Sequence, residues 1–142
     1  MSAAGNKDDL RIRMLIVDDE QTIRKLCVTV GEALGFVCLE AESGESALAL
    51  LEEQPAHMVL TDMVMPGMNG RELADTVLAS QPDLKVIYMS GYTDDMLLHT
   101  GALGSGMAVL RKPLRPDVLA GRIREVLDSG GVRAGNAESS AE

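Results

Sequence analysis

Residues 14–20 read MLIVDDE, a run of four apolar side chains followed directly by three acidic ones. Residues 58–62 read MVLTD, so a second, largely apolar run also ends in an acidic residue. Short runs of this kind are typical of strands that are buried on both faces of a parallel sheet. Because ligand sites in such sheets form beyond the carboxyl ends of the strands, we expect Asp18, Asp19 and Asp62 to cluster at one edge.

The whole chain alternates five times between strand-like and helix-like segments. This alternation predicts an α/β fold, a doubly wound five-stranded parallel sheet with five helices. The predicted strands cover residues 13–17, 36–41, 58–61, 85–89 and 108–110, and the predicted helices cover residues 21–34, 43–54, 70–80, 94–100 and 116–127. We expect one folded domain over residues 11–127, a flexible segment over residues 1–10 and a disordered tail over residues 128–142.

The composition restricts the classes of function. The 142 residues carry a formal net charge of −9, which argues against direct nucleic-acid binding because such binding needs a basic surface. The sequence has no apolar stretch near the ~20 residues of a membrane span and no apolar core of a signal peptide, so we expect a cytoplasmic protein. Cys27 and Cys38 lack the spacing of a metal site or redox pair and are expected to be reduced packing residues.

Three carboxylates at one edge repel one another unless a cation neutralises part of their charge. Mg²⁺ prefers oxygen ligands and typically combines one or two carboxylates with water and a phosphate group. The sequence therefore predicts a Mg²⁺ site in which Asp19 and Asp62 bind the ion and Asp18 contributes through water.

Two further strand ends carry groups that suit phosphoryl transfer, because Ser90 follows the fourth predicted strand and Lys112 follows the fifth. An aspartate oxygen can attack phosphorus as a nucleophile and form an acyl phosphate. Such transfer depends on positioning and on stabilising the equatorial phosphoryl oxygens, which a metal ion, an ammonium and a hydroxyl can do. Pro113 restricts the backbone of Lys112 to extended geometry, and a cis bond between them would aim the lysine across the edge.

In this order and at these strand ends, the acidic pair, Asp62, Ser90 and Lys112-Pro113 resemble the CheY-like receiver domains of two-component response regulators. The resemblance extends from about residue 11 to residue 127 and implies the flavodoxin-like strand order 2-1-3-4-5. Residues 61–70, TDMVMPGMNG, are similar to the phosphoacceptor and the following loop of that family. Residues 88–95, YMSGYTDD, are similar to receivers attached to hybrid sensor histidine kinases.

The resemblance implies that Asp62 accepts a phosphoryl group from a histidine kinase or a histidine phosphotransfer protein, with Lys112 and Ser90 assisting. It also implies that Mg²⁺ is held by the three carboxylates and by the backbone carbonyl of Val64. The expected role is that of a stand-alone receiver, which passes the phosphoryl group on or signals through phosphorylation-dependent contacts with a downstream protein. We expect no direct contact with nucleic acid or membrane.

Two positions depart from the pattern of the family. Val109 stands where many receivers carry an aromatic side chain that moves on activation, so we expect Tyr92 to move instead. Ser90, Tyr92 and Val109 then form the predicted switch. Val64, two residues after Asp62, offers no amide or acid to orient a hydrolytic water, which predicts slow self-dephosphorylation.

Other interpretations stay open. The acidic triplet at residues 18–20 also fits a helix N-terminus, where the macrodipole favours negative charge. For the whole chain the main alternative is a pseudo-receiver, a protein-binding module that is never phosphorylated, although the complete set of reactive groups disfavours it. A third class is a Mg²⁺-dependent phosphohydrolase with an aspartyl nucleophile, which would carry a second acid where Val64 stands.

Overall fold

A five-stranded sheet forms the centre of the computed structural model, which describes residues 11–91 and 108–135, with side chains as far as residue 128. The strands are β1 (Arg13–Val17), β2 (Val37–Ala41), β3 (Met58–Asp62), β4 (Lys85–Ser90) and β5 (Ala108–Arg111). All neighbouring strands are parallel, and their order is β2-β1-β3-β4-β5. The doubly wound α/β fold and the strand order 2-1-3-4-5 are therefore confirmed.

Four helices lie in the described part of the chain. They are α1 (Gln21–Ala33), α2 (Gly44–Glu53), α3 (Gly70–Ser80) and α4 (Pro116–Gly135). The helix predicted over residues 94–100, which would be the fifth, lies outside the described residues, as does the segment 1–10. Among the described helices, none combines the length and the apolar character that crossing a membrane requires.

The last helix is longer than its sequence suggests. It continues to Gly135 and does not end near residue 127, so residues 128–135, which the composition assigned to a disordered tail, are helical. The physical reason is that a formed helix grows by one backbone hydrogen bond per added residue, and no proline follows to stop it. The remainder of the predicted tail, residues 136–142, lies outside the described residues.

The sheet carries a separate apolar core on each face. Successive side chains of a strand point to opposite faces, so β1 contributes to both cores. The strands β1 and β3 are almost wholly buried, which explains why their sequences are continuous apolar runs. One core includes Met14, Ile16, Cys27, Leu119 and Ile123, and the other includes Leu15, Val17, Ala47, Leu73 and Val77.

Local hydrogen bonds fix where the helices begin. Ser43 caps α2 through a reciprocal pair of hydrogen bonds with Ser46. Asn69 and Glu72 make the same arrangement at α3, which the sequence analysis did not identify. The acidic triplet does lie at the N-terminus of α1, as its alternative interpretation requires, with Glu20 as the N-cap residue, but the Glu20 side chain makes no cap hydrogen bond.

Candidate functional site

The carboxyl ends of four strands meet at one edge of the sheet. Asp18 directly follows β1, Asp62 and Ser90 are the last residues of β3 and β4, and Lys112 directly follows β5. Lys112 N–H donates to the carbonyl oxygen of Ser90 over 2.8 Å, which continues the pairing of β4 and β5 by one residue. The peptide bond between Lys112 and Pro113 is cis.

Three carboxylates lie together at this edge. Asp18, Asp19 and Asp62 each offer an oxygen within 4.8 Å of the others. Asp18 is fully buried and Asp62 is 6% exposed, whereas Asp19 faces solvent. The structure thus brings together the three acids that the two sequence runs place at strand ends.

Lys112 supplies the positive charge nearest to the carboxylates. Its Nζ lies 3.0 Å from Asp18 Oδ2 and 3.5 Å from Asp62 Oδ2, and its side chain is 19% exposed. A third carboxylate that the sequence analysis did not assign, Glu20, has an oxygen 3.6 Å from the same nitrogen. One ammonium therefore faces several acids, and the edge keeps an excess of negative charge.

Burial and this excess charge govern the ionisation of the site. Burial, with the charge of Asp18, raises the pKa of Asp62 to about 6, although Lys112 and a hydrogen bond from the Val64 N–H oppose the rise. Burial also raises the pKa of Asp18, against the Glu20 N–H and Lys112. Burial alone would lower the pKa of Lys112, but its hydrogen bond with Asp18 and the charges of nearby acids outweigh this and raise it.

The donor set at this edge fits a hard divalent cation. All three side chains offer carboxylate oxygens, which Mg²⁺ and Ca²⁺ prefer, and none offers nitrogen or sulfur. A cation here would also reduce the repulsion that raises the pKa of Asp62. Asp18, Asp19 and Asp62 are therefore suited to hold such an ion.

The loop after β3 surrounds Asp62 with backbone and apolar groups. Val64, whose side chain is 48% exposed, donates its N–H to the Asp62 carboxylate. Met63 and Met65 are buried in the core, so these two methionines of the loop pack inward. The methionine spacing alone could not show which side chains point inward.

Gly70 allows two backbone segments to approach each other closely. The loop residue with a positive φ, of 78°, is Gly67 and not Gly70. Gly70 N–H donates to the carbonyl oxygen of Met63, and a Cβ at position 70 would overlap the carbonyl oxygen of Asp62. Gly70 therefore lets the first turn of α3 pack against the backbone of Asp62.

The predicted switch residues are only partly described. Ser90 is fully buried, and its Oγ has no hydrogen-bond partner among the described residues. Val109 is half-buried and lies beside Tyr88, its register partner on β4. The hydroxyl of Tyr88 is also buried without a partner in the described part of the chain. Tyr92, the predicted moving aromatic, lies outside the described residues.

Arg24 on α1 is a site residue that the sequence analysis missed. Its Nη1 donates to the backbone carbonyl oxygen of Asp18 over 2.8 Å, and its Nε lies 3.0 Å from Glu40 Oε1. A signal was present in the sequence, because Arg24 precedes the buried Cys27 and Gly31 at helical spacing. That spacing places an arginine on the inward side of α1.

The two cysteines are free thiols. Cys27 is buried, with its Sγ 4.0 Å from Sδ of Met89, and Cys38 is half-buried. Burial raises the pKa of Cys27 to about 12 and that of Cys38 to about 11. Neither thiol is activated for nucleophilic chemistry at neutral pH.

The sequence and the fold are both similar to those of known proteins. The family model described as response regulator receiver domain matches residues 14–124. The response regulator receiver protein CpdR of Brucella abortus (strain 2308) is 32% identical over 115 residues, which are 81% of this chain and 96% of CpdR. The sensor kinase CckA of the same strain is 32% identical over 117 residues, which are 81% of this chain but 12% of the kinase.

A solved structure shows the same relationship. The crystal structure of a two component transcriptional regulator AraC from Clostridium phytofermentans ISDg is 35% identical in sequence, with a TM-score of 0.70. The match covers 82% of this chain and 96% of that one. The chain is therefore similar over most of its length both to short proteins and to one region of a much longer kinase.

Proposed function

This chain belongs to the response regulator receiver domain family, and we propose that it accepts a phosphoryl group on Asp62 in a Mg²⁺-dependent reaction. One observation carries the proposal, the position of Lys112 Nζ at 3.0 Å from Asp18 and 3.5 Å from Asp62. An ammonium beside both a metal-binding carboxylate and the acceptor carboxylate is suited to contact a phosphoryl oxygen as charge develops there.

The transfer begins with an oxygen of Asp62 attacking the phosphorus of a phosphohistidine. The new P–O bond forms as the P–N bond breaks, and the imidazole nitrogen leaves with the electron pair and takes up a proton. Attack needs the carboxylate form, and a pKa of about 6 leaves most Asp62 ionised at neutral pH. Because the pKa of Lys112 is raised, its ammonium remains protonated throughout the transfer and stays in contact with the phosphoryl oxygens.

The metal site of the proposal consists of Asp18, Asp19, Asp62 and the backbone carbonyl of Val64. The mutual approach of the three carboxylates, within 4.8 Å, supports this assignment. When bound, Mg²⁺ would act as a Lewis acid that stabilises charge on the transferring phosphoryl group. Without the ion, the three carboxylates would have little positive charge to balance their own, because Lys112 also contacts Glu20.

Ser90 is the proposed reporter of phosphorylation. Its buried Oγ has no partner among the described residues, a state that is costly for a hydroxyl and that a phosphoryl oxygen would relieve. The new hydrogen bond would draw the end of β4 toward Asp62 and bias a two-state element.

We propose that Tyr92 is the aromatic side chain that moves on phosphorylation and that Val109 is a switch residue with a smaller side chain. An NMR comparison of the Tyr92 ring with and without a phosphoryl mimic tests this, and an unchanged ring environment would overturn it.

The proposal extends to the partners. A histidine kinase or a histidine phosphotransfer protein donates the phosphoryl group in the cytoplasm, and a downstream protein reads the phosphorylated form. The proposed role is that of a stand-alone receiver, in line with the similarity to CpdR, of which the match covers 96%. The acidic net charge of −9 favours protein contacts over nucleic acid.

Incubation with Mg²⁺ and acetyl phosphate, followed by intact-mass measurement, tests the proposal. We expect the mass of one phosphoryl group to be added, and we expect Asp62→Asn or chelation of Mg²⁺ to prevent it. Asp75→Asn, which changes an exposed carboxylate on α3, is the matched control and should be phosphorylated normally.

Two other outcomes identify the alternatives. An unchanged mass, with the protein folded and Mg²⁺ bound, would identify a pseudo-receiver that acts only as a protein-binding module. Turnover of unrelated phosphate esters would identify a phosphohydrolase.

A further inference from the structure

Arg24 makes two contacts that belong to different parts of the fold. Its Nη1 donates to the carbonyl oxygen of Asp18 beyond β1, and its Nε pairs with Glu40 on β2. The Arg24 side chain is 14% exposed, so the guanidinium is largely removed from water. One planar group therefore links α1 to the ends of two neighbouring strands.

The contact with the Asp18 carbonyl bears directly on the next residue. That carbonyl belongs to the planar peptide group that joins Asp18 to Asp19, so holding its oxygen fixes the direction in which the chain enters Asp19. Asp18 is anchored independently, because its N–H donates to the carbonyl oxygen of Ala41 and its carboxylate bonds to Lys112. Asp19 faces solvent, so its placement depends on the backbone.

We propose that Arg24 is a positioning residue for the divalent-cation site, holding the Asp18–Asp19 peptide so that the Asp19 carboxylate meets Asp62. This inference rests on the proposed function, which assigns Mg²⁺ to these carboxylates. Groups that orient metal ligands commonly change metal affinity by about 10-fold to 100-fold when they are lost. Glu40 holds the guanidinium and so acts on the site through Arg24.

The direction of the change in Mg²⁺ affinity distinguishes a positioning role of Arg24 from a purely electrostatic one. Arg24 carries a positive charge close to a cation site, so removal of that charge alone would strengthen Mg²⁺ binding. Loss of positioning would weaken it. Arg24→Lys keeps the charge, but a single ammonium cannot reproduce the two directed contacts of a guanidinium. We therefore expect both Arg24→Met and Arg24→Lys to weaken Mg²⁺ binding.

The test is calorimetric Mg²⁺ titration of the full chain at a temperature where thermal unfolding curves show each variant to be folded. We expect the Mg²⁺ Kd to rise about tenfold or more in Arg24→Met and Arg24→Lys. The control is Arg122→Met, which removes an arginine from the exposed pair with Glu125 on α4 and should leave the Kd unchanged. The amide NMR signal of Asp19 in the metal-free protein should shift in both Arg24 variants and not in the control.

Each result has a definite meaning. An unchanged or lower Kd in the Arg24 variants, with wild-type binding intact, overturns this inference and leaves the proposed function standing. A wild-type protein that does not bind Mg²⁺ overturns the proposed function and this inference with it. If Arg24→Met fails to fold, Arg24→Lys decides, because its retained charge preserves the ion pair with Glu40.

Discussion

Lys112 Nζ lies 3.0 Å from Asp18 Oδ2, although the two residues are 94 positions apart in the chain. The carboxylate is fully buried, and the lysine is its charged partner. The strand order places β5 at one edge of the sheet and separates it from β1 by two strands, β3 and β4. The ion pair therefore lies across the carboxyl ends of β3 and β4, next to Asp62.

Lys112→Met should destabilise the metal-free protein by roughly 3 kcal/mol at pH 7, because it leaves buried carboxylates without their cation. Added Mg²⁺ should recover part of the loss, since it neutralises the same charges. Urea unfolding with and without Mg²⁺ measures both effects. Lys25→Met, which changes an exposed lysine on α1, is the control, and equal losses in the two variants would contradict the prediction.

The free energy of unfolding should change with pH because of the ionisation of Asp62. Its pKa is raised from 3.8 to about 6 in the folded protein, so between these values the folded state binds more protons than the unfolded state. Stability from this group is therefore complete below about pH 4 and is lost as the pH rises through 6, by up to about 3 kcal/mol. Asp18 contributes with the same sign, because its pKa is also raised.

The difference between wild type and Asp62→Asn isolates this contribution. Without Mg²⁺, the variant should be more stable than wild type at pH 7, and the advantage should shrink as the pH falls toward 4. Urea unfolding at several pH values measures the difference. A difference that does not depend on pH would show that the carboxylate ionises equally in the folded and unfolded states.

Gly70→Ala should destabilise the protein by about 2 kcal/mol and reduce phosphorylation, because the new Cβ overlaps the Asp62 carbonyl and forces the backbone to move. Gly121→Ala is the matched control on α4, where a Cβ meets nothing within 4 Å. That control should stabilise the helix by about 0.5–1 kcal/mol. Thermal unfolding and acetyl phosphate labelling check both variants. Equal behaviour of the two alanines would remove the special role of Gly70.

Tyr88→Phe should raise the free energy of unfolding by up to about 1 kcal/mol, because it removes a buried hydroxyl that has no partner among the described residues. Thr61→Val is the comparison, since the buried Thr61 hydroxyl donates to the Asp62 carbonyl over 3.0 Å. We expect that change to destabilise the protein. Urea unfolding measures both, and a destabilised Tyr88→Phe would mean that the hydroxyl is satisfied in solution.

Val64→Asn should shorten the lifetime of the phosphorylated protein roughly tenfold or more, because an amide beside Asp62 can orient a hydrolytic water. The wild-type phosphoryl group should persist for much longer than seconds. Val118→Asn is the control, an equally exposed valine on α4. Loss of phosphoprotein mass over time gives the rates, and a wild-type lifetime of seconds would refute the prediction.

The sequence was most informative where a segment is buried on two sides. The strands β1 and β3 begin at the predicted residues, because a strand covered on both faces must be apolar throughout. The predicted end of α4, near residue 127, was wrong. The small and polar residues after Asp128 lower the stability of a helix but do not end it. The capping pair of Asn69 and Glu72 could have been predicted from its spacing.

The sequence by itself determined which chemical groups stand at the strand ends, because the apolar runs fix the strands and parallel strands end at one edge. Only the tertiary structure decided how those groups pair. It placed Lys112 Nζ closer to Asp18 than to Asp62 and left Ser90 Oγ without a partner among the described residues. These outcomes depend on distances between segments that are remote in the chain, which no local pattern encodes.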